Sequence, residues 1–231
     1  MRRALAEALG TFFLVFAGTG AIVIDSVSNG AVSHLGVALV FGLVVMGMIA
    51  MVGDVSGAHL NPAVTAAFAL SGRLRARETL PYVSAQLLGA LAASGLLALM
   101  FPTHETLGAT LPVGPVWRAF VLEVVITFML MLVILAVASG PRERGLVAGI
   151  TIGGVVALAA LFAGPICGAS MNPARSLAPA LVSGRTESLW VYLSAPMLGA
   201  ALAVPVAAGL GWVRPRHSDS DKCINAATTS E

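Results

Sequence analysis

The sequence is short of charge. Asp, Glu, Lys and Arg make up 10% of its 231 residues, where a typical soluble domain has about 25%. So little polar surface cannot keep a globule in water. With 58% hydrophobic residues and a mean hydropathy of +0.92, the chain reads as an integral membrane protein. Cysteine is scarce as well. Cys167 and Cys223 support neither a disulfide framework nor a metal-ligand cluster. His34, His59, His104 and His217 stand apart, so no zinc spacing arises. No nucleophile–base pair emerges, so no enzyme is indicated and no catalytic residue, metal or cofactor is assigned. A net charge of +2 gives no basis for a nucleic-acid partner. The lipid bilayer is the implied surrounding.

What the chain does have is long apolar runs rich in Gly and Pro, 25 and 12 residues respectively, which membrane helices tolerate. By the rule of about 20 residues per span, six spans are expected at 4–24, 35–52, 80–100, 116–138, 146–163 and 189–213. The opening Met1-Arg2-Arg3-Ala4 resembles a signal peptide only superficially, because a long run without a clear cleavage pattern follows it. Residues 1–213 read as one domain. Residues 214–231, polar and rich in Ser, Thr and Asp, read as a disordered tail.

Six spans put both termini on one side. Arg2, Arg3, Arg73, Arg75, Arg77, Arg142, Arg144, Arg214, Arg216 and Lys222 lie on that side; Arg118, Arg175 and Arg185 lie on the other. Together these are the 13 basic residues of the chain. The bias places both termini in the cytoplasm. Short loops and compact size suggest a prokaryotic inner membrane.

Two segments interrupt the apolar pattern: Gly57-Ala58-His59-Leu60-Asn61-Pro62-Ala63-Val64-Thr65 and Gly168-Ala169-Ser170-Met171-Asn172-Pro173-Ala174-Arg175-Ser176. Asn is a favoured N-cap, and Pro suits the first helical position because its missing N–H has no partner there. Each segment therefore starts a short helix. Irregular backbone at membrane depth is tolerated only where it is buried in protein or lines a watery cavity, so the two starts predict a pore or binding site. The halves also answer each other. Glu7-Ala8-Leu9-Gly10-Thr11-Phe12 matches Glu123-Val124-Val125-Ile126-Thr127-Phe128, and Tyr82 to Ala90 matches Tyr192 to Ala200. Each half, about 4–101 and 116–213, holds three spans. An odd number inverts the second half, and inverted repeats with broken helices place the site near the midplane.

On these motifs the chain resembles the aquaporins, the major intrinsic proteins, over about 4–213. The resemblance implies an all-α membrane channel of six transmembrane helices and two re-entrant half-helices in an inverted repeat. It implies a homotetramer with one pore per subunit. Asn61, Pro62, Ala63, Asn172, Pro173 and Ala174 would form the pore motifs. Each half-helix N-terminus carries about +0.5 of a charge, so protons and cations are opposed while neutral hydroxylated solutes pass. Arg175 matches the arginine of the outer constriction, and an arginine in so apolar a stretch is expensive and usually functional. Glu7 and Glu123 read either as proton-coupling carboxylates or as acceptors for the backbone N–H groups of the re-entrant loops. The resemblance favours acceptors. His59 reads equally as a pore-lining or a structural histidine. Cys167 is a weak candidate for a thiol-reactive position near the outer mouth.

By family spacing the selectivity filter comprises Phe41, Ala160, Ala169 and Arg175. Water-selective members usually carry histidine where Ala160 stands, so a wider and more apolar filter is expected, admitting glycerol, urea and metalloid hydroxides such as boric or arsenous acid. Glycerol facilitators usually have Asp after the motif arginine and a basic residue four places on. Ser176 and Ala180 depart from that and match water channels. The mixture, with Gly164-Pro165-Ile166-Cys167-Gly168-Ala169-Ser170-Met171 before the second Asn, is most similar to the nodulin-26-like branch and its bacterial relatives. A water-selective aquaporin is the alternative, and a secondary transporter a more distant one. The Gly-rich faces (Gly42, Gly47, Gly149, Gly153, Gly154) are expected to let helices pack closely.

Overall fold

The computed structural model describes residues 1–138 and 143–213, and every regular element among them is an α-helix. In chain order these are α1 (Arg2–Val27), α2 (Ser33–Ser56), α3 (Pro62–Leu70), α4 (Ala76–Met100), α5 (Val116–Val137), α6 (Glu143–Cys167), α7 (Pro173–Ser183) and α8 (Leu189–Gly209). Six of them are long and apolar enough to cross a bilayer. The other two, α3 and α7, have 9 and 11 residues and are too short to cross. The tail expected at 214–231 lies outside the described residues.

Most helices outrun the apolar windows that announced them. Helix α2 continues through Gly53 and Asp54 to Ser56, and α6 continues through Pro165 to Cys167. Hydropathy marks only the greasy part of a span, while the backbone keeps its helical bonds until something breaks them. At the end of α2 that is Gly57, with φ +88, a left-handed conformation that glycine adopts without steric cost. Conversely α8 stops at Gly209, short of the expected 213.

The packing has internal two-fold character. Helix α1 packs on α2 and α4, and α5 packs on α6 and α8. The halves join through α2 against α6, and through the half-helices: α3 lies against α8 and α4, and α7 against α4 and α8. Exchanging α1–α4 for α5–α8 leaves these pairings unchanged. Three close crossings repeat the pattern. Gly42 of α2 and Gly153 of α6 face each other, so that a Cβ on either would meet the other's carbonyl oxygen. In the same way Gly89 of α4 sits on the Ala8 carbonyl of α1, and Gly199 of α8 on the Val124 carbonyl of α5. Gly149 lies close to Met46 of α2. Gly47 and Gly154 meet nothing within 4 Å, so the close-packing expectation holds for three of its five glycines.

These crossings set a test. Gly89→Val drives a Cβ into backbone, which cannot rotate away as a side chain would. Overpacking costs about 1–3 kcal/mol even where side chains can adjust, so the expected result is loss of the monodisperse peak in detergent gel filtration. Gly47→Ala is expected to elute as wild type. A normal profile for Gly89→Val would show that the α1–α4 crossing yields more than its geometry suggests.

The apolar exterior and polar interior follow from the solvent. Leu80, Leu88, Leu99 and Trp117 are among the exposed large side chains, whereas Glu7, Gln86, Glu123, Thr127 and Arg175 are buried. Lipid receives the hydrocarbon, and the polar groups find partners inside. Those partners define the site.

Candidate pore and its constriction

The two Asn-Pro segments are built alike. Asn61 and Asn172 are extended, with φ −157 and −148, and each is followed by Pro at the first helical position. The Asn61 side-chain oxygen accepts from the Ala63 N–H at 2.9 Å. The Asn172 oxygen accepts from the N–H groups of Ala174 at 3.0 Å and Arg175 at 3.3 Å. The side-chain amides cross between the halves. Asn61 Nδ2 donates to the Met171 carbonyl at 2.7 Å, and Asn172 Nδ2 donates to the Leu60 carbonyl at 2.9 Å. Each Asn thus caps its own half-helix and ties it to the loop before the other. An amide nitrogen has two hydrogens, and the tie occupies one.

The loops before the motifs are strained in matching places. Ala58 and Leu60 have φ +48 and +53, and Ala169 and Met171 have φ +41 and +53. Such conformations cost about 1–3 kcal/mol each and persist only when the surroundings over-determine them. Here the surroundings are two buried carboxylates. Glu7 accepts from the backbone N–H of His59 at 3.0 Å and of Leu60 at 2.7 Å, from Ser56 Oγ at 2.6 Å and from Gln86 Nε2 at 2.7 Å. Glu123 accepts from the N–H of Ser170 at 2.7 Å and of Met171 at 2.8 Å. Pro196 stands where the repeat would place a second glutamine, which leaves Glu123 with fewer donors.

Arg175 is 1% exposed. Its Nη1 donates to the Gly108 carbonyl at 2.8 Å, and its guanidinium lies 5.1 Å from the centre of the Phe41 ring. Gly108 belongs to the linker between the repeats, a partner the sequence did not announce. Behind the arginine, Thr110 Oγ1 donates to Ser176 Oγ at 2.8 Å, and Ser176 pairs with Ser170 Oγ at 2.5 Å. Ser176, noted in the sequence only for matching water channels, thus pins the linker to α7.

A cavity of about 700 Å³ connects these features. Phe41, Ala169 and Arg175 line it toward one end; Asn61, Asn172, Leu60 and Met171 line its middle; His59, Asp54 and Phe68 line it toward the other. Of the four filter positions, Ala160 alone is not part of that lining. It is 8% exposed, and Val156, one turn along the same helix, lines the cavity instead.

Two further sequence readings resolve here. His59 lines the cavity and is also held, its ring stacked on Phe68 at 4.5 Å and its Nδ1 3.2 Å from Thr65 Oγ1. Cys167 does not sit at the outer mouth as a reactive thiol. It is fully buried and donates to the Ala163 carbonyl at 3.3 Å, in the place that Ser56 takes in the first half.

Six spans enclosing two opposed half-helices around a polar-centred cavity define a membrane channel for small solutes. The chain belongs to the major intrinsic protein family, whose model matches residues 1–206. It is 51% identical over 201 residues to aquaporin NIP1-1 of Zea mays, covering 87% of this chain and 71% of that one. It is 46% identical over 231 residues to nodulin-26 of Glycine max, covering 100% of this chain and 83% of that one. The X-ray structure of the aquaglyceroporin from Plasmodium falciparum superposes with a TM-score of 0.80 at 25% identity, covering 89% of this chain and 94% of that one. The nodulin-26-like resemblance is therefore shown, and the chain is a passive channel for water and small solutes. The relatives correct one expectation. They are proteins of Zea mays, Oryza sativa, Glycine max and Nicotiana alata, which sets the chain among plant membrane channels and overturns the prokaryotic inner membrane. Loop length reflects how spans are joined and carries no information about the source.

Proposed function

We propose that the pore passes water together with small uncharged hydroxylated solutes, namely glycerol, urea and metalloid hydroxides such as boric or arsenous acid, and excludes protons and ions. The observation that carries this is the composition of the filter end. Phe41, Ala169 and Arg175 line the cavity there, and the fourth family position holds Ala160, whose side chain is not part of that lining. An alanine in place of an imidazole leaves room for a carbon backbone and removes a donor that would hold water. In this reading Arg175 offers donors to the permeant, Asn61 and Asn172 offer their second amide hydrogens at the midpoint, and Glu7 and Glu123 hold the loops. The likeness in fold to a structure titled an aquaglyceroporin supports the reading. The channel acts as a homotetramer in the family manner, built from the repeats at about 4–101 and 116–213.

Stopped-flow light scattering on proteoliposomes tests it, comparing water, glycerol and boric acid with Ala160→His alongside. The expected result is solute entry well above empty liposomes, cut severalfold by the histidine while water flux survives. Strong water flux with no entry of either solute would leave a water-selective aquaporin.

A further inference from the structure

The inverted repeat gives every residue of the outer constriction a counterpart on the other side of the pore. The shift that carries Asn61 onto Asn172 also carries Gly57, Ala58 and Leu60 onto Gly168, Ala169 and Met171, and all six of those residues have positive φ. The same shift carries Gly42 of α2 onto Gly153 of α6, the two glycines that face each other where these helices cross. The correspondence therefore holds through both helices as well as both loops. Applied to the four filter positions, it pairs Ile152 with Phe41, Ile49 with Ala160, Ala58 with Ala169, and Val64 with Arg175. All four counterparts line the cavity. Phe41 and Ile49 stand just over two turns apart on α2, about 12 Å at 1.5 Å per residue, and Ala58 adjoins His59 at the end of the cavity away from Arg175. The two sets thus lie on opposite sides of the Asn pair, the second on the cytoplasmic side.

The sets differ in chemistry. Where the outer one has a guanidinium, the inner one has Val64, 4% exposed. None of Ile49, Ala58, Val64 and Ile152 has a side-chain donor or acceptor. His59 is next in line, but its Nδ1 is 3.2 Å from Thr65 Oγ1 and its ring is stacked on Phe68. A solute that leaves the Asn amides therefore passes four side chains that return none of the hydrogen bonds it had in water, and an unpaired hydroxyl is costly in such surroundings. We infer that Ile49, Ala58, Val64 and Ile152 form a second, apolar constriction that discriminates among neutral solutes by the hydration they shed there. Arg175 and the Asn amides supply donors to the permeant; the inner ring supplies none, so it slows a solute with several hydroxyls more than it slows water. The inference rests on the reading of the pore as a filtered passage for small hydroxylated solutes and assigns part of that selection to the cytoplasmic half.

The test is stopped-flow water and glycerol flux in proteoliposomes for wild type, Val64→Thr, Ile49→Phe and Ala160→His, each checked by gel filtration. Val64→Thr keeps the outline of the side chain and adds one hydroxyl to the ring. It should raise glycerol flux about fivefold, the factor that one net hydrogen bond supports, and water flux by a smaller factor. Ile49→Phe narrows the ring without adding polarity, and should lower glycerol flux severalfold and water flux less. Unchanged water flux in both ring variants overturns the inference whether or not glycerol enters. So does an equal change in water and glycerol. If Ala160→His cuts glycerol entry while the ring variants match wild type, the inner ring fails and the outer filter stands. If wild type admits water but no glycerol, the wide-filter reading fails, and the water flux of the two ring variants still decides the inner one.

Discussion

Glu7→Gln is expected to unfold the channel in mild detergent, while Glu123→Gln weakens it less. The two carboxylates hold equivalent loops, but their loads differ. Each loop carries two strained non-glycine residues, a cost of about 2–6 kcal/mol at 1–3 each. A buried hydrogen bond to a charged group contributes about 1.5–3 kcal/mol. The four donors to Glu7 therefore offer about 6–12 kcal/mol, and the two to Glu123 about 3–6. In the first half the carboxylate outweighs the strain and also gathers Ser56 and Gln86; in the second it about balances it. Glutamine keeps one acceptor oxygen and turns an NH₂ toward donors, leaving at least one buried N–H unmet at about 1–3 kcal/mol. A thermal melt followed by fluorescence or gel filtration reads the difference. Equal melting of Glu7→Gln and wild type, or a larger drop for Glu123→Gln, would sink the account.

The same count bears on mechanism. A carboxylate with about four lone-pair sites and four donors in place has none left for a proton in transit. To shuttle protons, Glu7 would have to release the loop that it holds. That supports a structural role for it and argues against a proton-coupled transporter.

How much of this was legible in the sequence depends on the range of the interaction. The half-helices were readable because a cap and a first-turn proline are local signals. The spans were readable because lipid demands continuous hydrocarbon, though their ends were not, since helices such as α2 and α6 run on until a glycine or a loop stops them. Glu7 and Glu123 could be paired because the repeat aligned them. The acceptor for Arg175 could not be found this way. It is a backbone carbonyl of Gly108, and every residue has a carbonyl; only the fold brings that one to the guanidinium. The reciprocal Asn–carbonyl ties were hidden for the same reason. Ala160 shows the converse, because spacing named the position while Val156, one turn earlier on α6, lines the cavity in its place. The glycine crossings lay between, since Gly89 and Gly199 stood in the matched repeat segments and their equivalence was the available clue.

Arg175→Ala is expected to let ions through a pore that still passes water. On the proposed reading, three positive elements oppose a cation along the cavity: the guanidinium with a full charge, and the N-termini of α3 and α7 with about half a charge each. The half-helices are 9 and 11 residues long, enough to sustain that partial charge, and their Asn caps leave the N-terminal ends facing the lumen. At an effective dielectric of about 20, a unit charge 4–8 Å from the permeating ion contributes about 2–4 kcal/mol, and 1.4 kcal/mol is tenfold. Removing the guanidinium should thus raise proton or cation leak by at least about tenfold, with the half-helices holding the remainder of the barrier. The arginine's other contacts, one carbonyl and the face of Phe41, are few enough for the fold to survive its loss. A pH-sensitive dye inside proteoliposomes reports the proton leak, and osmotic swelling in the same preparation confirms an open pore. Unchanged leak with normal water flux would assign ion exclusion to the half-helices alone and leave Arg175 to select among neutral solutes.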